Sequence, residues 1–221
     1  MPMELIAGED NTMVTLTESG CTFRFDFKNV FWNSRLENEH RRLISLCKPG
    51  EIICDVFAGV GPFAVPLARK GSIVYANDLN EHCYNALLEN AKANLTSRKI
   101  SNLKAYCLDG REFLQTAVNE ICCTQKKAIN HIFMNLPKTA FEFLDVLIGL
   151  FPEDIDTLPI IHCYCFANGP DHKQDATQKV HSILKFQVDP LQLYQVRVTS
   201  ADCIEYCATF RLPKEIAYKA K

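Results

Sequence analysis

The chain opens on an alternating pattern. Met13 and Thr15 lead into Thr17-Glu18-Ser19-Gly20, and Phe23, Phe25 and Phe27 follow at every second position. A period of two on either side of a Ser-Gly turn predicts a β-hairpin. The period then changes. Leu36, Leu43, Leu46 and Cys47 form one apolar stripe of a helix that Asn33-Ser34 can cap and Pro49-Gly50 stops. From Glu51 onward short apolar runs alternate with helical patterns. Strands are expected at 52–57, 72–76, 103–108, 128–134 and 158–166. Helices are expected at 62–70, 80–94, 110–118, 139–150 and 172–184. The end differs again: Leu193 to Val198 and Ile204 to Leu212 flank Thr199-Ser200-Ala201-Asp202-Cys203, an antiparallel hairpin signal. Repeated βα units predict an α/β fold with a doubly wound, mostly parallel sheet closed by that hairpin. Residues 1–35 read as a hairpin extension and 36–221 as the main domain.

Composition narrows the classes. The 221 residues suffice for one α/β domain and are too few for two ordinary ones. With 48% hydrophobic and 23% charged residues, extended disorder is excluded. A net charge of −2 disfavours a generic basic nucleic-acid coater but not a local basic patch. No stretch is long and apolar enough to predict a membrane helix. Met1-Pro2-Met3-Glu4-Leu5 lacks the basic start and apolar run of a secretory signal. The eleven cysteines are odd in number, with no C-x-x-C pair, and several sit inside apolar runs such as Ile52-Ile53-Cys54. They read as reduced core residues of an intracellular protein. The six histidines show no metal-ligand spacing, so no metal is expected.

Asp55-Val56-Phe57-Ala58-Gly59-Val60-Gly61-Pro62-Phe63 ends the first of these strands and opens a helix. Gly59 and Gly61 permit a tight turn and close backbone approach to a ligand at the carboxyl ends of the strands. A dinucleotide is the weaker candidate, because Pro62 removes one amide from the helix start that would cradle a pyrophosphate. S-adenosylmethionine (SAM) carries no phosphate and loses nothing. The next strand ends in Asp78-Leu79-Asn80, where a carboxylate can accept from both ribose hydroxyls or cap the following helix. Asp109-Gly110 ends the third strand, where Asp109 can accept from the adenine amine or serve as a helix cap. A parallel sheet with these strand ends and a closing hairpin is the topology of class I SAM-dependent methyltransferases.

The fourth strand ends in Asn135-Leu136-Pro137-Lys138. Amino-nitrogen methyltransferases place an aromatic residue where Lys138 stands, so stacking on an exocyclic amine is not supported. A cytosine-C5 nucleophile needs a cysteine beside a proline, and this loop has none. Cys163 and Cys165, on one face of a strand, read as core.

Three motifs together, Phe31-Trp32-Asn33-Ser34-Arg35-Leu36-Glu37-Asn38-Glu39-His40, the loop from Asp55 to Phe63, and Met134-Asn135-Leu136-Pro137, resemble the eukaryotic and archaeal tRNA (guanine-37-N1)-methyltransferases. The resemblance runs from Leu5-Ile6-Ala7-Gly8-Glu9 to the last hairpin. It implies SAM as methyl donor and a tRNA bearing guanine at position 37 as substrate. No membrane association is expected, no obligate protein partner is evident, and a monomer is expected. By position it implies Glu39 as general base, and His40, Asp78, Leu79, Asp109, Gly110 and Asn135 as SAM contacts beside Asp55, Gly59 and Gly61. Cytoplasm, nucleus and mitochondrial matrix are the compartments it implies. The family's members carry further domains upstream, and an arginine that they use there has no counterpart in this chain. Weak tRNA binding by the chain alone is therefore expected.

Guanine N1 carries a weakly acidic proton that a base must remove as the methyl arrives. Glu39 is the candidate; its plain alternative is a helix carboxylate paired with Arg42 or Arg35, one turn away. Arg35 and Asn135 can hold O6, where negative charge develops. Arg41 and Arg42 are expected to meet phosphate or solvent. Two other functions fit the same pattern: an aminocarboxypropyl transferase of wybutosine synthesis, and a catalytically silent scaffold with this fold.

Overall fold

The computed structural model describes residues 5–155 and 157–218. The first four residues, on which the reading of the N-terminus rests, lie outside the described residues. In chain order the elements are β1 (Met13–Glu18), β2 (Cys21–Asp26), α1 (Glu37–Leu46), β3 (Ile52–Asp55), α2 (Ala64–Lys70), β4 (Ile73–Asn77), α3 (Glu81–Asn94) and β5 (Leu103–Tyr106). Then come α4 (Gly110–Val118), β6 (His131–Met134), β7 (Ile160–Asn168), α5 (His172–Leu184), β8 (Gln192–Ser200), β9 (Cys203–Arg211) and the short α6 (Lys214–Ala217). Among the described residues no helix is long and apolar enough to cross a membrane. The chain forms two compact units, one of Met1–Gly50 with Ala58–Cys107, the other of Glu51–Phe57 with Leu108–Lys221.

The first unit contains the expected hairpin. Ser19 and Gly20 both adopt positive φ, 51° and 71°. Such a two-residue turn matches the right-handed twist of the strands it joins. Phe23 and Phe25 are buried, with their ring centroids 5.6 and 5.2 Å from Trp32. The backbone of β2 is tied to α3 by two asparagines: Arg24 N donates to Asn90 Oδ1 at 2.8 Å, and Thr22 N to Asn94 Oδ1 at 2.8 Å. Asn33 accepts from the Arg35 amide, as the sequence suggested, but the first turn, Ser34–Leu36, is a tighter 3₁₀ turn that leads into α1. β4 and β5 run parallel, joined through α3.

The second unit holds strands in the order β3-β6-β7-β9-β8. The β3–β6 and β6–β7 ladders are parallel, and β9 pairs antiparallel with both β7 and β8. Ile53, Cys54, Ile132, Phe133, Ile161 and Cys163 have no more than a trace of exposed surface, as expected of strands covered on both faces. Cys163 and Cys165 are core residues, as read. Two expected helices differ. The segment read as a helix over 139–150 is a 3₁₀ run, Ala140–Leu147. It begins where the Leu136 carbonyl accepts from both the Thr139 and Ala140 amides, which tightens the entry. α4 continues into a π-helical turn, Asn119–Thr124, closed by Gln125 N donating to Glu120 O.

At the amino ends of β3 and β6, Glu51 stands 3.5 Å from His131 Nε2, His131 Nδ1 is 3.0 Å from His162 Nε2, and His162 Nδ1 is 3.1 Å from Thr209 Oγ1. One ring must donate to the other, which neutral imidazoles can do and two imidazolium ions cannot. Burial pushes the His131 ring below its ordinary value of 6.5, against the opposing pull of Glu51. The sign follows: stability is fully present above about pH 6.5 and falls below it, because the unfolded chain takes up the proton that the buried ring resists. Urea unfolding across that interval should show the loss in the wild type and a flatter profile in His131→Gln. Equal slopes would contradict the assignment.

Candidate active site

In the first unit, the loop after β3 is held by the end of β4. Ala58 N donates to Asn77 O at 2.7 Å, and Gly59 N donates to Asp78 Oδ2 at 2.8 Å. The other carboxylate oxygen accepts from Asn80 N at 2.9 Å. Asp78 therefore clasps the glycine loop to the start of α3, a role beyond the ribose acceptor or cap read from sequence. Burial pushes its carboxyl above the ordinary range, while the Asn80 and Gly59 amides and the Cys83 thiol pull it partly back. Leu79, beside it, is 66% exposed, a large apolar side chain left open at a strand end.

The two glycines are required for different reasons. A Cβ at Gly61, at φ +98°, would come within 2.6 Å of Leu87 Cδ1 and 2.8 Å of Val65 Cγ2. A Cβ at Gly59, at φ +55°, would meet nothing within 4 Å. The space over Gly59 is open to a ligand, whereas Gly61 is filled by the packing of two helices. Gly61→Ala should therefore lower the unfolding free energy by about 1–3 kcal/mol. Gly59→Ala should lower it by about 1 kcal/mol, from backbone strain alone. Equal losses in urea unfolding would remove the steric argument.

Glu39 and His40 lie on α1, 5% and 4% exposed. Arg42 forks onto the Glu39 carboxylate, Nε to Oε2 and Nη2 to Oε1, both at 2.7 Å. This corrects the expectation that Arg42 meets phosphate or solvent: with Glu39 buried three residues earlier on the helix, the guanidinium supplies the charge that burial demands. Arg41 pairs with Glu37 in the open, and Arg35 is exposed. His40 Nδ1 sits 2.6 Å from Glu18 Oε1, and its ring meets the edge of Phe63 at 4.8 Å, where the glycine loop enters α2.

The second unit carries the remaining candidates. Asp55 ends β3 with no exposed surface. Asp109 accepts from Arg111 N at 2.9 Å and so caps α4. Gly110, the first residue of α4, lies flat on two aromatic rings: a Cβ there would come 3.0 Å from Phe143 and 3.1 Å from Phe57. Asn135 is half-buried at the end of β6. Its loop is held at both ends, by Ala140 N donating to Leu136 O at 2.7 Å and Phe166 N to Pro137 O at 3.0 Å. Lys138 is exposed.

The Glu39–Arg42 pair is the one expected from the sequence as the plain alternative for Glu39, although the carboxylate is buried. Two supporting residues escaped the sequence reading: Glu18 pairs with His40, and Asn90 Nδ2 donates to the Val60 carbonyl of the glycine loop at 3.0 Å. No local sequence signal marks Glu18: it is 4% exposed because the hairpin register sets it opposite Cys21, which has no exposed surface.

Residues 14–191 match the family model described as the TRM5/TYW2 methyltransferase domain. The chain belongs to that family. As a TRM5/TYW2 domain it is 42% identical over 222 residues to a tRNA (guanine(37)-N(1))-methyltransferase of Phytophthora infestans, covering 100% of this chain and 52% of that protein. Trm5b from Pyrococcus abyssi matches in structure with a TM-score of 0.73 at 29% identity, over 93% of this chain and 57% of that one. The M. jannaschii TYW2 structure in complex with AdoMet shares the fold, with a TM-score of 0.72 at 19% identity over 95% of this chain and 90% of that one. The TRM5/TYW2 chain spans about half the length of the curated relatives it matches. The family resemblance and the α/β class with its closing hairpin are both borne out.

Proposed function

We propose that this chain is the catalytic core of a SAM-dependent methyltransferase acting on N1 of guanine 37 in tRNA. The observation that carries the reading is the glycine loop clasped by Asp78, with open space above Gly59 and a buried carboxylate, Glu39, in the same unit. Its curated relative at 42% identity is named for this reaction. The residues fit the cofactor: Asp78 offers acceptors for ribose hydroxyls, Leu79 an apolar surface for adenine, and Gly59 a close backbone approach. SAM supplies a methyl group already activated as a sulfonium.

The chain's own residues then orient the base and manage one proton. Glu39 takes it from guanine N1. A carboxylate offers about four lone-pair positions, and the Arg42 fork uses one on each oxygen. Arg42 fixes the buried carboxylate in direction, which a base needs before the substrate arrives. Asn135 and Arg35 are each candidates to hold O6, where charge builds. An intracellular setting accords with eight buried free thiols, with cytoplasm, nucleus and mitochondrial matrix as the compartments.

The runner-up is the aminocarboxypropyl transferase, because the family description names TYW2 beside TRM5. Incubation with SAM and a guanine-37 transcript, followed by mass analysis of the modified nucleoside, separates them. A gain of one methyl supports the proposal; a gain of the heavier aminocarboxypropyl group replaces it. A scaffold would bind SAM or tRNA and leave the nucleoside unchanged.

A further inference from the structure

The loop carrying Asn135 is held on one side by the Thr139 and Ala140 amides, which donate to Leu136 O, and on the other by the carboxyl end of β7. There Phe166 uses both backbone groups outside the strand ladder. Its amide donates to Pro137 O at 3.0 Å, and its carbonyl accepts from Lys179 Nζ at 2.6 Å. The same ammonium pairs with Asp175 Oδ2 at 2.7 Å, and that oxygen also accepts from Asn168 N at 2.8 Å. Lys179 further lies over the ring of Phe141, 5.8 Å from its centroid, three residues beyond Lys138. One side chain of α5 thus holds the last turn of β7 and the far side of the Asn135–Lys138 loop. Its side chain is 22% exposed and that of Asp175 31%, so the pair is partly sheltered from solvent.

We propose that Lys179 is a positioning residue for the Asn135 loop, acting through Phe166 and Pro137. The proposal rests on the reading of Asn135 as an O6 contact. It follows from the geometry that losing the ammonium frees the Phe166 carbonyl, loosens the strand end and lets Pro137 drift, and displacement of a positioning group by about 1 Å can slow a reaction by about a hundredfold.

The test uses the full chain and two variants. Lys179→Met keeps the aliphatic stem over Phe141 and removes the donors; Lys179→Arg restores donors and charge. Hydrogen exchange is followed at the amides of Phe166 and Ala140, and methyl transfer to a guanine-37 transcript is followed in a single turnover at saturating protein. Lys179→Met should exchange both amides about tenfold faster and slow transfer by about ten- to a hundredfold. Lys179→Arg should recover most of both. Unchanged exchange at Phe166 and Ala140 in Lys179→Met would overturn the proposal whatever the activity. Faster exchange with a wild-type transfer rate would overturn it too, by showing that the loop's position does not matter to the reaction. A wild type that transfers no methyl to guanine 37 would instead refute the reading of the reaction, and exchange alone would then decide whether Lys179 braces the loop.

Discussion

Glu39→Gln should slow methyl transfer by about 10²–10⁴ in a single turnover while SAM binding is kept. The substitution preserves shape and removes the proposed base. It also turns an amide donor toward Arg42, which forks onto both Glu39 oxygens at 2.7 Å. A donor facing a buried donor costs about 1–3 kcal/mol, so some loss of thermal stability accompanies the slower rate. Calorimetry with SAM separates the two effects, since the glycine loop is untouched. Raising the pH until guanine N1 ionises by itself should partly rescue the variant. A wild-type rate in Glu39→Gln would end the general-base assignment and direct attention to Asn135 and Arg35.

The second large effect is expected at Asp78. In Asp78→Ala Gly59 N and Asn80 N lose their acceptor, and on the proposed reading the ribose loses its charged acceptor too. SAM binding should weaken by about 1–3 kcal/mol, roughly five- to 150-fold in dissociation constant. Because burial already raises the Asp78 carboxyl, acidification should weaken SAM binding at a higher pH than an ordinary carboxylate would. The variant should lose that dependence. Isothermal titration at a series of pH values reads both outcomes, and an unchanged affinity in Asp78→Ala would remove Asp78 from the site.

Much of this architecture is written in local pattern. The strands from Ile52 and His131 are short apolar runs bounded by Pro-Gly or polar residues, and their shortness and flanks identify them. The turn at Ser19-Gly20 and the cap at Asn33 have local chemical causes and were equally legible. What could not be read are features decided by register or packing. The segment from Ala140 to Leu147 has helical apolar spacing, but its 3₁₀ geometry depends on how the Leu136 carbonyl is shared. The burial of Glu18 depends on His40, 22 positions away, and nothing in the alternation of the hairpin marks a carboxylate as inward-facing. Asp109 and Asp78 were legible as strand-end carboxylates, yet their backbone partners, Arg111 N for one and Gly59 N with Asn80 N for the other, required the fold.

The central claim is methyl transfer from SAM to N1 of guanine 37, and one measurement meets it directly. SAM labelled in its methyl group is incubated with the protein and either of two transcripts, identical except that position 37 is guanine in one and adenine in the other. The transcripts are then digested and the labelled nucleoside is identified. The account predicts label in the guanine-37 transcript alone, recovered as 1-methylguanosine. Label in both transcripts, label recovered as another nucleoside, or no label in either would contradict it.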